Sequence, residues 1–186
     1  CVYVDLNADG EINSNDATRD IGYTDMPEYT AGLNTGFSWK NFDFSMQWTG
    51  AWNVDRMLDE FRRPLGDTNE KGLLLYQYNT TWRSSADTFT AKFPRTSSLH
   101  ASNNYAGSDL YLINASYLRL KSVEIGYNFN FPFMKKLKMD NCRLYVNGYN
   151  LITITGFKWG DPESRQSSRP NYPLTRVFNV GLKLGF

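Results

Sequence analysis

The chain has 186 residues (21.4 kDa), and its 20 Lys+Arg against 19 Asp+Glu leave a net charge of +1, without the strong basic excess of a nucleic-acid footprint. With 41% hydrophobic and 21% charged residues, it reads as globular rather than disordered. Aromatic residues are abundant (12 Phe, 12 Tyr, 5 Trp) although mean hydropathy is −0.52. No run approaches the 18 or so apolar residues of a transmembrane helix, which excludes a helical membrane protein but not a β-barrel with alternating strands.

Residues 1–28 carry the sharpest local motif, Asp5-Leu6-Asn7-Ala8-Asp9-Gly10-Glu11-Ile12-Asn13-Ser14-Asn15-Asp16, with the calcium-loop spacing D-x-[DN]-x-[DN]-G. Asp5, Asn7 and Asp9 could supply side-chain oxygens, Glu11 a backbone carbonyl, Asn13 a direct or water-mediated contact and Asp16 the last position, while Gly10 permits the sharp bend. The last position is Asp rather than the longer Glu, and EF-hand flanking helices are missing. The same residues also describe a loop held by Asx turns.

Alternation then begins. Leu33, Thr35, Phe37 and Trp39 alternate with Asn34, Gly36, Ser38 and Lys40. Phe42, Phe44, Met46 and Trp48 alternate with Asp43, Ser45, Gln47 and Thr49. Successive strand side chains point to opposite faces, so 29–39 and 42–53 are expected strands, joined as a hairpin at Lys40-Asn41. Residues 54–114 form a long connection holding the one histidine, His100, and no G-x-S-x-G, P-loop or G-x-G-x-x-G pattern is present. An enzyme is not expected.

Residues 115–130 and 142–154 give a second hairpin. Val123, Ile125, Tyr127, Phe129 and Phe131 share one parity, whereas Leu118 and Leu120 have the opposite one, which predicts a β-bulge near Lys121. The two cysteines, Cys1 and Cys142, show no metal spacing. Residues 155–173 form a second long connection. In the final strand, 174–186, Phe178, Val180, Leu182, Leu184 and Phe186 alternate with Asn179, Gly181, Lys183 and Gly185.

A β-sandwich explains the alternation equally well. Strands of roughly ten residues exceed the usual 5–6. Short turns lie at one end and long loops at the other, with Trp39, Trp48, Trp52, Tyr127, Phe129 and Tyr149 crowding the strand ends like interfacial girdles. These features favour an outer-membrane barrel. Five strands cannot close such a barrel, and open edges are not tolerated in lipid, so the chain is expected to be part of a larger assembly.

Several ordered segments resemble the SusC/RagA family of TonB-linked outer-membrane proteins. They are Val4–Asn13, Asp20-Ile21-Gly22, Pro27–Asn34, Asn41–Ser45, Asn114–Tyr127, Leu144–Leu151, Gly160-Asp161-Pro162-Glu163 and Tyr172–Phe186. The resemblance implies an all-β fold: the last five or so strands of a transmembrane barrel, 22-stranded when complete. It implies a transporter in a Gram-negative outer membrane that imports glycans or peptides with a SusD-like lipoprotein. A plug and the remaining strands would complete it, outer-membrane lipid would surround it, and TonB–ExbB–ExbD would supply energy through the missing part. The residues ending at Phe186 would be the barrel-assembly signal. In the long loops, Trp82, Tyr105, Tyr111, Trp159, Arg165 and Arg169 are the expected cargo contacts, since aromatics stack on sugars and Arg pairs with carboxylates. The alternative is a calcium-stabilised, dockerin- or lectin-like binding module, soluble or lipid-anchored through Cys1.

Overall fold

The computed structural model describes residues 1–62, 73–97, 102–132, 138–164 and 174–186. Five long strands form one antiparallel sheet: β1 (Tyr29–Trp39), β2 (Phe42–Trp52), β5 (Tyr117–Phe129), β6 (Asn141–Thr155) and β7 (Val177–Gly185), in the order β1-β2-β5-β6-β7. Two short strands, β3 (Asp55–Met57) and β4 (Leu112–Asn114), pair as a neck that closes the connection between β2 and β5. Among its described residues that connection also contains a short α-helix, α1 (Leu75–Thr80), and several 3-10 turns. Sequence alternation places the strands within about three residues but does not reveal this neck, whose members are only three residues long.

The β1–β2 hairpin turns over two residues between the paired Trp39 and Phe42, and Lys40 takes a left-handed φ of 55° to do so. The expected bulge is present. Gln47 faces Ser122 while Trp48 faces Leu120, so Lys121 is skipped by β2. Against β6, Leu120 faces Ile152 and Ser122 faces Tyr149, with Asn150 at a left-handed φ of 54°. The extra residues re-aim the following side chains. Leu118 and Leu120 therefore return to the face of Val123 and Ile125 although their parity differs.

β1 and β7 each pair on one side only, and every residue of β1 is exposed. Among the described residues the sheet is open, with a row of unpaired backbone groups along each edge.

The buried core lies in the loops rather than on the sheet. Leu58, Phe61, Phe93 and Tyr111 form it, with Met57, Ile113, Phe157 and Trp159 packed against it. Trp159 is the hub of the ring contacts, with centroids 4.7 Å from Phe61, 4.6 Å from Tyr76 and 6.4 Å from Phe93. Part of the aromatic excess thus belongs to loop packing, where each ring removes a large apolar area from water. Among the described residues no helix is long and apolar enough to cross a membrane.

Candidate functional site: a two-faced wall and its loop clamp

The register places apolar side chains in rows across one face. One row is Trp39, Phe42, Tyr127, Leu144 and Leu182; the next is Phe37, Phe44, Ile125, Val146 and Val180. A third holds Met46, Val123 and Phe178, a fourth Leu33, Trp48, Leu120 and Ile152, and a fifth Leu118 and Ile154. Phe129, Cys142 and Leu184 add a row at the short-turn end. From Phe129 to Leu118, with the bulged Lys121 discounted, these rows span roughly 33 Å along the strand at about 3.3 Å per residue. A tilt of about 40° projects this to roughly 25 Å, the height of the ~25 Å apolar band of outer-membrane barrels.

No second layer covers this face among the described residues: Phe178 is 70% exposed and Val180 74%. A sandwich would bury these side chains against a facing sheet. Trp48 lies within the band rather than at its rim, in the row of Leu33, Leu120 and Ile152, with the row of Leu118 and Ile154 beyond it. Tyr149 pairs with Ser122, on the parity of the polar Asn147, and so leaves the expected outer girdle.

The opposite face is polar. The Arg143 guanidinium donates to Asp43, with Nε to Oδ1 at 3.1 Å, and to Glu124 Oε1 at 2.7 Å. Asn128 and Asn147 donate to Asp43 and Glu124, and Asn179 donates to Asn147. Small residues make room for this layer. A side chain at Gly126 would meet Arg143 and Asp43, and one at Gly181 would collide with the Tyr145 ring.

At the long-loop end sits a buried clamp. Arg119 on β5 is 2% exposed. Its Nε donates to Thr153 Oγ1 (3.0 Å), Nη1 to Glu163 Oε2 (2.7 Å) and Nη2 to Asp161 Oδ1 (2.8 Å). Lys121 also reaches Glu163, at 3.3 Å. Arg56 donates to the carbonyls of Asp25 and Pro162, and Asp55 accepts from Tyr23 N and Asn114 Nδ2. The Asp161-Pro162-Glu163 turn, the 23–25 segment and the β3–β4 neck are thereby tied to the wall. A buried cation is tolerated only when paired and fully hydrogen-bonded, and this one is satisfied by a loop some forty residues away. Sequence reading records Asp161-Pro162-Glu163 only as a family motif and does not foresee the clamp, since pairing across that separation leaves no local periodicity.

The Asp5–Asp16 loop closes on itself. Gly10 N donates to Asp5 Oδ2, Asp9 N to Asn7 Oδ1 and Glu11 N to Asp9 Oδ1. Leu6 N and Asn13 N donate to the Asp16 carboxylate. Asn13 caps the turn at Ser14–Asp16 by accepting from Asn15 N. These bonds, the Asn13 contact foremost, hold the Asp16 carboxyl below its ordinary range. Among the described residues no group of three or more His, Cys, Asp or Glu side chains is gathered to hold a metal ion. Asp5 Oδ1 is buried without a hydrogen-bond partner among the described residues.

The other expected site residues separate. Tyr111 is fully buried, its hydroxyl donating to Asn104 O at 2.7 Å; burial raises its phenol above the usual range. Trp159 packs into the same loop core, so both rings are engaged in packing. Tyr105 is half-buried, and its carbonyl accepts from Arg62 Nε. Trp82 is half-buried beside the Thr81–Phe93 bridge. Arg165, Arg169 and His100 lie outside the described residues.

No protein-family model matches the chain. It is 29% identical over 202 residues to the TonB-dependent receptor P3 of Formosa agariphila, covering all of this chain and 19% of that protein. It is 28% identical over 187 residues to the TonB-dependent receptor SusC of Bacteroides thetaiotaomicron, covering all of this chain and 17% of that protein. The chain thus spans about a fifth of the length of the curated relatives it matches. Among solved structures, the RagAB peptide importer in its "closed-closed" state aligns with a TM-score of 0.69 at 20% identity, covering 96% of this chain and 20% of that one. The "open-open" state aligns with a TM-score of 0.66 at 22% identity, covering 88% and 18%. The five-stranded sheet has the fold of that part of a barrel transporter chain.

Proposed function

We propose a role for a chain that belongs to the SusC/RagA-type TonB-dependent receptors: it supplies adjacent wall strands and long outer loops of a nutrient importer in a Gram-negative outer membrane. The observation that carries this reading is the uncovered apolar face, of barrel-band height, backed by a charged and hydrogen-bonded opposite face. The apolar face would meet lipid and the polar face the lumen. The open edges of β1 and β7 would each pair with a neighbouring strand, because lipid tolerates no bare backbone.

In this reading the segment is C-terminal in a 22-stranded barrel, and Phe178, Val180, Leu182, Leu184 and Phe186 guide assembly. The long loops face outward toward a SusD-like lipoprotein and toward glycan or peptide cargo. Trp82 and Tyr105, with Arg165 and Arg169, are the candidate cargo contacts. A plug fills the lumen, and TonB–ExbB–ExbD powers import through the remainder of the protein. The chain performs no catalysis. The clamp of Arg119, Asp161 and Glu163 would hold the second long loop at a fixed height above the lumen.

The Asp5–Asp16 loop would take Ca²⁺ if the side chains of Asp9 and Asp16 exchanged their backbone bonds for the ion. Metal analysis after alanine substitution of Asp5 and Asp9 decides this, and an unchanged calcium content would reject it. For the transport reading, the test is removal of residues 60–105 from the complete receptor, which leaves the β3–β4 neck in place. The expected result is normal barrel insertion with loss of cargo capture. Unchanged TonB-dependent uptake and lipoprotein docking would overturn the assigned loop role.

A further inference from the structure

Outside the wall, the clamp and the Asx loop, the segment from 73 to 97 contains a depression around Trp82. It encloses about 320 Å³, and Tyr78, Thr81, Trp82, Arg83, Arg95 and Thr96 contribute to its lining. This is the lower end of the range for small-molecule sites, enough for one or two sugar rings. Its frame is rigid. Thr81 bridges Phe93, Trp82 N donates to Phe93 O at 2.9 Å, and Lys92 N donates to Thr80 O at 2.8 Å. Phe93 anchors the frame in the loop core.

Three features give this depression a chemistry. First, Trp82 is half-buried in the lining and offers an aromatic surface to a ligand. Second, Arg83 stacks on the Tyr78 ring, 4.2 Å from its centroid, and donates one Nη2 bond to the Tyr78 carbonyl, which among the described residues leaves other N–H groups on its fork unused. Arg95 is exposed and makes no ion pair or hydrogen bond among the described residues. Third, the local charge is cationic: Arg83, Lys92 and Arg95 stand against the single carboxylate of Asp87, which is turned onto the backbone N–H groups of Arg83 and Ser84.

We propose that this depression is a binding site for an acidic saccharide, a pyranose bearing a carboxylate. The ring would stack on Trp82, and the carboxylate would pair with the Arg83 and Arg95 guanidiniums. Aromatic faces suit the C–H faces of sugars, and planar guanidiniums suit a planar carboxylate. Peptide recognition by backbone pairing needs a free strand edge. The only strand-like pairing in the frame, Thr81 with Phe93, is already formed. The site deepens the importer reading and rests on it for its biological use, but its binding chemistry stands on these residues alone.

The test is calorimetric titration of the complete receptor in detergent with tetragalacturonate, maltotetraose and a tetraglutamate peptide at low ionic strength. Tetragalacturonate is expected to bind at least about tenfold more tightly than maltotetraose. The Arg83→Gln/Arg95→Gln double variant is expected to lose about tenfold or more for the acidic sugar only, since a charge-assisted hydrogen bond is worth roughly that or more. Arg95→Gln alone, which breaks no contact among the described residues, should give a partial loss in a receptor that still shows heat-modifiable migration. Equal binding of the two sugars, or an unchanged double variant, would overturn the site. Tetraglutamate binding that equals the sugar's and disappears in the same variant would overturn the saccharide assignment. Import that persists in cells without TonB would overturn the importer reading and leaves the titration result as it stands.

Discussion

Replacing Asp161 and Glu163 together by alanine strands a buried cation, and its cost can be worked from the clamp. The Arg119 side chain is 3% exposed, that of Asp161 11% and that of Glu163 41%. The dry Asp161 pair is worth about 2 kcal/mol as a charge-assisted bond. The Glu163 pair, being substantially solvated, is worth about 1 kcal/mol or less. The remaining partners of Arg119, Thr153 Oγ1 and the Tyr117 ring at 5.3 Å, carry no charge. A total of about 3 kcal/mol corresponds to a roughly hundredfold rise in opening of the 156–164 turn. Arg119→Met should do less, about 1–2 kcal/mol, because both acids lie nearer to solvent and Lys121 still reaches Glu163. Hydrogen-exchange mass spectrometry of that peptide in the complete receptor measures both. The reasoning is refuted if the double variant exchanges within threefold of the parent, or if Arg119→Met is the more damaging change.

Val180→Arg places a charge on the uncovered face and should cost about 2–4 kcal/mol in lipid. Folded yield should fall, whereas Asn179→Arg on the polar face should assemble near normally; equal yields would contradict the assignment of faces. Gly181→Val should impede assembly because the Tyr145 ring occupies that space, and adding Tyr145→Ala should restore part of the heat-modifiable band. Since the Asp16 carboxyl is held below its ordinary range, the stability it lends the 5–16 loop is present above about pH 4 and is lost as pH falls through the lowered value. Pepsin should therefore spare the loop at pH 4 and cut it at pH 2, while Asp16→Ala should be cut at both. Equal cleavage of parent and variant at pH 4 would contradict this.

Much of the sheet is legible in residue order because a half-buried strand writes its two faces at alternate positions. The break in parity between Leu120 and Val123 locates the bulge, as the skipped Lys121 confirms. The girdle assignments of Trp48 and Tyr149 fail for a different reason: nearness to a strand end says nothing of row or face, and Trp48 falls within the apolar rows while Tyr149 shares the inward parity of Asn147. The clamp is illegible because Arg119 looks like an ordinary strand residue until Asp161 and Glu163 arrive from another loop. Tyr111 and Trp159 share the composition of ligand-stacking aromatics, and only their burial separates packing from exposure. The Asx loop is readable as a turn. Its hydrogen bonds use the same oxygens that a calcium ion would need, so spacing alone cannot separate the two.

The central claim is that β7 divides lipid from lumen. Single nitroxide labels at each position from 177 to 185 of the complete receptor in bilayers, probed with oxygen and with a polar nickel chelate, test it most directly. The account predicts a period of two: Phe178, Val180, Leu182 and Leu184 favour oxygen, while Asn179, Gly181 and Lys183 favour the chelate. Uniform access to the chelate, or an alternation of the opposite phase, would contradict it.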